Sequence, residues 1–295
     1  MRHRMVTMPD NELLTYSKDD IRSTQEVRQM TRPEVMRAYD VRESDRKSFL
    51  VNRRKEKKGE GFHHRTTLGP THRGKTTLEL QILKSEITPD NQAIILSAKP
   101  PQRDPVMNKA AEQLNLVTVD TYPPTPMARR YHRSRKKNGY LVRPEQSLSD
   151  LDSDHRHVRQ VFSETMLDAY SRTKHDQPVI VVCDEAHKIC NIYNLNKEYE
   201  AILMSGMPDV AESSLIQRGR FMSYLAYDAP DEIIIFKDDD TSNQRRYAEI
   251  GGINPTAIVT IQSGLKTYET KDGHTISEFI HIKRAGPVIT VVGIE

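Results

Sequence analysis

The chain has 295 residues, and its hydrophobic content of 36% is enough to bury the core of one large or two modest domains. The formal net charge is +3, and the excess is local, because residues 1–60 hold 15 Lys/Arg against 11 Asp/Glu. The longest apolar run, PVIVVC, is far shorter than the ~20 residues of a membrane helix, and the first residues lack the apolar stretch of a signal peptide. We therefore expect a soluble, cytoplasmic protein without a membrane span, whose two cysteines stay reduced.

The first 60 residues differ in texture from the rest of the chain. They are rich in charge and lack a sustained strand pattern, which predicts a basic N-terminal extension with short helices and partial disorder. Residues 61–295 are predicted to form one domain, in which strands and helices alternate: HHRTTLG, GKTTLELQILKSE, QAIILSA, PVMNKAAEQLN and LVTVDTY. This alternation predicts an α/β fold with a central, mainly parallel sheet and helices on both faces.

The second half of the chain continues this pattern after an irregular section. A long helix is predicted over DHRHVRQVFSETMLDAYSRTK, followed by the fully apolar strand PVIVVCDE, as a central buried strand requires. Further strands are predicted in ESSLIQ, EIIIFK and AIVTI, and a hairpin in KTYETKDGHTISEFIHIK, where KDGH supplies the turn. The C-terminal end is therefore predicted to be rich in β-structure.

The segment GPTHRGKT fits the pattern G-x-x-x-x-G-K-[ST] between a predicted strand and a predicted helix. Its glycines let the backbone curl so that N–H groups face phosphate oxygens, and the helix N-terminus adds a partial positive charge. In such a loop Lys75 reaches the β- and γ-phosphates, and Thr76 can ligate magnesium. We therefore predict that ATP and Mg²⁺ bind here, although Thr77 also suits packing or capping. The predicted nucleotide-binding residues are Gly69, Pro70, Thr71, His72, Arg73, Gly74, Lys75, Thr76 and Thr77.

A phosphate loop needs a carboxylate from the end of a neighbouring strand, and VIVVCDEAH provides Asp184 and Glu185 there. Asp184 is predicted to hold magnesium through water, and Glu185 to orient and polarise the water that attacks the γ-phosphate. His187 and Lys188 begin the next predicted helix, where a hydrogen-bonding role and simple solvation both stay open. The two motifs together are typical of an additional-strand P-loop ATPase.

The letters DEAH, with QRGR at 217–220, also raise the helicase superfamily. Only 32 residues separate Glu185 from Arg218, too few to finish one motor domain and reach the far end of another. The 110 residues after Glu185 cannot supply a full second domain. The spacing therefore argues against a helicase.

Residues 62–283 more closely resemble the FtsK/HerA group of ATPases, which includes DNA translocases, conjugation coupling proteins and viral genome-packaging ATPases. The matching text is SSLIQRGR, where the group has a strand ending in a glutamine, and DEIIIFKDDDTSNQRRYAEIGG, where it has an apolar strand and a charged segment. The resemblance implies a RecA-like core in which Gln217 is a catalytic residue, the sensor that reports the γ-phosphate. It also implies a DNA-directed motor and a homo-oligomeric ring, for which a hexamer is one option.

The resemblance does not identify an arginine finger. The group commonly has Gly-Arg before the sensor strand, whereas here Gly206 is followed by Met207. An arginine that reaches a neighbouring subunit's nucleotide has several candidates, each of which could equally be a surface residue. These candidates are Arg218, Arg220, Arg245 and Arg246.

The densest basic cluster is ARRYHRSRKKNGYLVR at 128–143, with seven Lys/Arg, no acidic residue, and Tyr131 and Tyr140 interleaved. We interpret it as an irregular insertion whose cations contact a nucleic-acid backbone and whose tyrosines stack on exposed bases. A solvated loop, or one that docks on an acidic neighbour, is the alternative. A second basic stretch, RRKEKKGEG, is interrupted by acidic residues and is interpreted as a linker.

The sequence thus predicts a RecA-like P-loop NTPase that hydrolyses ATP and moves or remodels nucleic acid. One alternative is a nucleotide-dependent switch or assembly protein, in which ATP only stabilises a bound form. The presence of both Glu185 and Gln217 favours turnover over such a switch. Another alternative is an assembly ATPase of a filamentous virus, a family that usually adds a membrane span.

Overall fold

A computed structural model describes residues 24–56, 62–100, 102, 104–147, 150–172, 178–204, 209–219, 222–250, 252–269, 275–284 and 288–294. The helices in these ranges are α1 (Thr24–Arg28), α2 (Arg32–Ala38), α3 (Arg46–Glu56), α4 (Lys75–Glu86), α5 (Pro105–Gln113), α6 (Pro126–Ser134), α7 (Leu151–Ser171), α8 (Ala186–Asn191), α9 (Asn196–Leu203), α10 (Leu225–Asp228), α11 (Thr241–Ile250) and α12 (Pro255–Ser263). The strands are β1 (Arg42–Asp45), β2 (Arg65–Leu68), β3 (Gln92–Leu96), β4 (Val117–Val119), β5 (Gly139–Val142), β6 (Val179–Cys183), β7 (Val210–Ile216), β8 (Glu232–Phe236), β9 (Thr267–Glu269), β10 (Thr275–Ser277), β11 (Phe279–Lys283) and β12 (Val288–Gly293).

Ten of these strands form one sheet in the order β1-β12-β11-β8-β2-β7-β6-β3-β5-β4. The run from β8 to β4 is parallel throughout, whereas β11 is antiparallel to both of its neighbours and β1 is parallel to β12. Strands β9 and β10 form the predicted hairpin, although its turn lies outside the described residues. The predictions of a mainly parallel sheet and of a β-rich C-terminal end are confirmed.

Alternate residues of β3, β5 and β6 pack into two separate apolar cores, one on each face of the sheet. Ile94 and Val181 face a core that includes Phe162 of α7 and Ile202 of α9. Their neighbours, such as Ile95, face a second core built with α4 and α5. Because side chains alternate along a strand, these fully apolar runs require cover on both faces. The predicted helices on both faces are confirmed.

Strand β7 lies between the strand that precedes the phosphate loop, β2, and the strand that carries the carboxylates, β6. This is the arrangement that the additional-strand class describes. Since these strands are parallel, the ends of β2, β7, β6 and β3 all reach the same edge of the sheet. The side chains that follow them are therefore gathered at one place.

The prediction of a strand over AIVTI is wrong, because these residues lie in helix α12. Asn254 caps this helix by accepting a hydrogen bond from the N–H of Thr256 at 2.9 Å, and Pro255 occupies its first position. The buried residues, Ala257, Ile258, Ile261 and Gln262, recur with helical spacing. The β-branched composition suggested a strand, but the cap and the tertiary packing favour a helix.

The basic segment 128–143 is not irregular, so that prediction is also wrong. Helix α6 and strand β5 cover most of it, and β5 is inserted between β3 and β4. Gly139 permits this insertion, because a Cβ at this position would lie 1.9 Å from the carbonyl oxygen of Ala93. Tyr140 is buried in the sheet as a result, and its ring stacks on that of His132 with centroids 4.6 Å apart.

The described part of the N-terminal extension packs against the sheet. Strand β1, which the sequence did not predict, adds to the edge beside β12, and helix α3 contacts α4. The division of the chain at residue 60 stays a prediction, as does the disorder of the first residues, which lie outside the described ranges. Cys183 and Cys190 are free and buried. Across the described ranges no helix is both long and apolar enough to cross a membrane, and the cytoplasmic location stays a prediction.

Candidate active site

The phosphate loop runs from the end of β2 to the start of α4 and has the backbone that its sequence demands. Gly69 has φ +146°, and a Cβ there would lie 2.7 Å from the side chain of Phe236. Gly74, at the N-cap of α4, has φ +87°, which favours glycine. Two residues beyond Pro70, His72 also has a positive φ of 60° and is exposed. The loop therefore curls at the N-terminus of a 12-residue helix, the geometry of a phosphate cradle.

Lys75 is buried at the first position of α4, and its ammonium points back into the loop. Its Nζ donates to the carbonyl oxygens of Gly69 and Pro70, each at 2.6 Å. Burial lowers the pKa of Lys75 to about 8, although Asp184 acts in the opposite direction. A phosphate placed in the loop would offer this ammonium a stronger partner than two neutral carbonyl groups.

The two carboxylates follow β6. The N–H of Asp184 donates to the carbonyl oxygen of Leu96 at 3.0 Å, which continues the pairing of β6 with β3. Glu185 is the N-cap of α8 and has φ +59°, an uncommon conformation for a residue with a side chain. Both side chains are almost fully buried yet line a cleft. His187 and Lys188 lie in α8, as predicted.

Glu185 is held from three sides. Gln217, which follows β7, donates from Nε2 to Glu185 Oε1 at 2.5 Å. Lys188 Nζ lies 2.5 Å from Glu185 Oε2, and Lys99 Nζ lies 3.7 Å from Oε1. Burial by itself would raise the pKa of Glu185, but the hydrogen bond from Lys188, the charge of Lys99 and the Gln217 amide together lower it. The carboxylate is therefore charged and oriented.

Asp184 is paired with Lys99, a residue that the sequence reasoning missed. The distance from Lys99 Nζ to Asp184 Oδ2 is 3.0 Å. Burial raises the pKa of Asp184, and Lys99 opposes this shift. A lysine directly after the predicted strand QAIILSA was the available signal, because that strand's end reaches the same sheet edge as the carboxylates.

These residues converge on one cleft of about 670 Å³. Each residue of the predicted loop from 71 to 77 lines it, together with Asp184, Glu185 and Gln217. Thr77 is exposed, so its side chain does not pack in the core. The cleft also takes in Lys99 and Asp104, and Arg73 ties its rim to the C-terminal hairpin by donating to Thr267 Oγ1 at 3.2 Å.

The donor set in the cleft suits magnesium. Thr76 offers a hydroxyl and Asp184 a carboxylate, which are oxygen ligands of the kind that Mg²⁺ prefers. Within the described ranges no cluster of three or more His, Cys, Asp or Glu side chains could hold a metal alone. This fits magnesium, which is usually bound by one or two protein oxygens together with substrate phosphates and water.

The candidate arginine fingers differ in their exposure and in their contacts. Arg218 and Arg245 are exposed, and Arg220 lies outside the described residues. Arg246 is engaged within its own chain, because its guanidinium lies over the rings of Tyr224 and Tyr227 and pairs with Glu249 at 2.9 Å. Which of the candidates acts as a finger stays open.

Of the seven cations in the basic segment, Arg143 is buried and bonded to Asp104 and Asn108. The other six lie on α6 and the turn after it, and all but the half-buried Lys137 are exposed. Tyr131 is 47% exposed and can contact a ligand, whereas the burial of Tyr140 corrects its predicted role in stacking. We call the six cations and Tyr131 the α6 surface; its cations are Arg129, Arg130, Arg133, Arg135, Lys136 and Lys137.

Comparison with protein-family models and with curated protein sequences finds no match. Solved structures do match. The genome packaging NTPase B204 from Sulfolobus turreted icosahedral virus 2, in complex with ATPγS, gives a TM-score of 0.50 at 16% sequence identity. The same protein with AMPPCP gives 0.50 at 15%, and B204, the DNA-packaging ATPase from Sulfolobus turreted icosahedral virus, gives 0.50 at 14%. Each match covers 78% of this chain and 96% of the other. The likeness establishes that this chain has a RecA-like P-loop NTPase fold, as predicted.

Proposed function

We propose that this protein is a magnesium-dependent ATPase that acts on DNA as a motor. The observation that carries the hydrolytic part is the convergence of Lys75, Asp184, Glu185 and Gln217 on one cleft. Within it, the amide of Gln217 contacts the carboxylate that would activate water, at 2.5 Å. A protein that only binds nucleotide has no need for the pair formed by Glu185 and Gln217.

The roles follow from the contacts. The ammonium of Lys75 would leave the carbonyls of Gly69 and Pro70 for the β- and γ-phosphate oxygens, while the loop N–H groups hold the phosphates. Glu185, charged and fixed, orients the attacking water and accepts its proton. Magnesium, held by Thr76 and through water by Asp184, would neutralise charge that develops on the phosphate oxygens.

Gln217 suits the role of a sensor because it joins two parts of the fold. Its amide touches Glu185, and its backbone continues β7, the strand between β2 and β6. When a γ-phosphate is present, the amide has a second partner within the cleft. Loss of that phosphate would change the position of Gln217 and pass the change into the segment after β7.

The DNA part of the proposal rests on the α6 surface. Its six cations have no acidic residue among them in the sequence from 128 to 143, and none is seen in an ion pair with the described residues. Such a set favours a polyanion, whose contacts are largely independent of sequence. The matching B204 protein is a DNA-packaging ATPase, which supports the same class of substrate.

One assay tests the proposal. Phosphate release from ATP would be measured in Mg²⁺ without DNA, with single-stranded DNA and with double-stranded DNA. We expect hydrolysis in all three conditions and a faster rate with the preferred DNA. ATP binding without hydrolysis would favour the switch, and hydrolysis that no DNA alters would contradict the motor.

We also propose that the protein works as a homo-oligomeric ring, in which an exposed arginine such as Arg218 completes a neighbour's site. The specific ATPase rate should then rise with protein concentration. An Arg218→Ala subunit mixed with a Glu185→Gln subunit should restore some activity, because each supplies what the other lacks. A rate that is constant down to the monomer would argue for a site complete in one chain.

A further inference from the structure

Lys99 occupies a position set by strand pairing. Leu96 of β3 is the register partner of Cys183 of β6, and the N–H of Asp184 still donates to the Leu96 carbonyl. The chain then leaves β3 and places Lys99 beside the carboxylates that end β6. The side chain of Lys99 is 32% exposed and that of Asp184 is 4% exposed. The partly solvated ammonium of Lys99 therefore reaches the buried carboxylate of Asp184 from the cleft.

The ammonium of Lys99 bridges the carboxylates of Asp184 and Glu185. Lys99 Nζ lies 3.0 Å from Asp184 Oδ2 and 3.7 Å from Glu185 Oε1. The phosphate-loop lysine does not fill this place, because Lys75 donates to loop carbonyls instead. In the described residues Lys99 is the cation paired with Asp184.

A hydrated magnesium ion held by Asp184 and an ammonium 3.0 Å from one oxygen of that carboxylate compete for the same negative charge. Two positive charges close together on one nearly buried carboxylate repel, so binding of the ion weakens the hold of Asp184 on Lys99. Lysine carries its charge on a flexible four-carbon stem, so the ammonium can move while the backbone stays. The triphosphate of ATP enters the cleft together with the magnesium ion, so it is the nearest new anion for the ammonium of Lys99.

We propose that Lys99 is a second mobile cation of the nucleotide site, which holds Asp184 and Glu185 in the nucleotide-free protein and moves to the γ-phosphate when Mg-ATP binds. This inference rests on the proposed ATPase function. It makes Lys99 specific for the terminal phosphate, whereas Lys75, within the loop, holds the β- and γ-phosphates together. Lys99 therefore distinguishes ATP from ADP.

The test compares ATPγS with ADP. Their affinities for wild type, Lys99→Met and Lys99→Arg would be measured by calorimetry in excess Mg²⁺, after thermal denaturation shows that each variant is folded. We expect Lys99→Met to bind ATPγS about 10- to 150-fold more weakly, the loss of one charge-assisted hydrogen bond. Its ADP affinity should stay within about twofold of wild type or rise, because no ammonium competes with magnesium. Lys99→Arg, which keeps a cation, should restore part of the ATPγS affinity.

Lys109→Met is the matched control, since Lys109 is exposed on α5 and makes no contact with the carboxylates. It should leave both affinities unchanged. If Lys99→Met does not fold, the double variant Lys99→Met/Asp184→Asn removes both charges of the pair and is compared with Asp184→Asn alone. An unchanged ratio of ATPγS to ADP affinity in either comparison overturns the inference. Failure of the wild type to bind nucleotide would instead overturn the proposed function.

Discussion

Helix α4 takes part in two charged clusters that behave in different ways. Its first turn supplies Lys75 and Thr76 to the nucleotide cleft. Its inner face supplies Glu79 and Glu86 to a buried ion network with three further residues, Arg53, Arg65 and Glu232. The two clusters therefore share helix α4 but have different roles.

In the buried ion network every charge has a fixed partner. Arg65 is 0% exposed and holds Glu79 with two hydrogen bonds, of 2.6 and 3.0 Å. Arg53 of α3 donates to Glu86 at 2.7 Å and also pairs with Glu232 of β8. Although burial disfavours its charge, Glu79 and Glu86 raise the pKa of Arg65. The network joins α3, α4, β2 and β8.

In the cleft the two cations paired with Asp184 and Glu185 are partly exposed, whereas both carboxylates, like Lys75, are buried. Lys99 and Lys188 are 32% and 43% exposed and reach their acids from solvent. A flexible, hydrated cation can leave its partner when a ligand offers another, whereas a buried guanidinium cannot leave without exposing an unpaired charge. The comparison teaches that one cluster is built to exchange partners and the other to fix elements.

The largest expected effects are on the cleft. Glu185→Gln should bind ATP but lower the hydrolysis rate by about 10²- to 10⁴-fold, because no base accepts the proton of the attacking water. Lys75→Ala should instead lose most nucleotide affinity. Calorimetric binding and phosphate release on the same samples separate the two. Equal loss of binding in both variants would contradict these roles.

Substitutions in the buried ion network should change the free energy of unfolding of the protein. Arg53→Met removes the guanidinium from Glu232 and leaves Glu86 only its 3.6 Å pair with Arg65, which should lower the free energy of unfolding by about 3 to 5 kcal/mol in urea titrations. Lys47→Met, on the exposed side of the same helix, is the control and should change it by less than about 0.5 kcal/mol. An Arg53 variant as stable as this control would show that α3 does not fix the network.

The α6 surface extends the comparison to a third set of cations, which form no ion pair with any residue that the structure describes. Changing Arg133, Arg135, Lys136 and Lys137 together to Ala should weaken binding to all DNA sequences alike. The plot of log affinity against log salt should flatten by about 0.7 to 0.9 for each lost phosphate contact. Tyr131→Ala should weaken single-strand binding by about 1 to 3 kcal/mol and leave duplex binding almost unchanged.

A control variant also removes four cations, at exposed positions elsewhere: Arg37, Arg42, Lys47 and Lys84. It should keep the salt slope of the wild type. If the α6 variant does the same, the surface is not the DNA site. Basal ATP hydrolysis without DNA should survive in both.

The last prediction concerns a buried carboxylate that forms no ion pair with the described residues. Glu212 of β7 is 0% exposed and accepts a hydrogen bond from Ser214 Oγ at 2.5 Å. Burial raises its pKa from 4.5 to about 8, against the hydrogen bonds from Ser214 and Cys183. Between these pH values the folded chain holds one proton more than the unfolded chain, so this group's contribution to stability falls as the pH rises.

Glu212→Gln keeps a polar group of the same shape and removes this titration. The stability of the variant relative to wild type should therefore increase with pH between about 5 and 8, by at most about 1.4 kcal/mol per pH unit. Urea titrations at several pH values measure it. Parallel pH profiles for the two proteins would mean that Glu212 is charged in the folded state.

The sequence could single out Lys75, Thr76, Asp184 and Glu185 because each stands in a local pattern, and the structure places all four on one cleft, while their catalytic roles stay predictions. The loop with Lys75 and Thr76, and the acids after an apolar strand, are recognisable without knowledge of their neighbours in space. Lys99 was missed because a lone lysine after a strand has no pattern of its own. A role for Lys99 can be inferred only from the pairing of β3 with β6, which brings this lysine beside Asp184.

By itself the sequence determined the alternation of strands and helices, the phosphate loop and the strand-end carboxylates, since these depend on periodicity and on residues adjacent in the chain. Tertiary structure decided the rest. It placed β5 inside the sheet where Gly139 allows close approach, made a helix of AIVTI, and gave Arg53 its partners 33 and 179 residues away. Burial of apolar surface and pairing of buried charges act across such separations, and no local pattern records them.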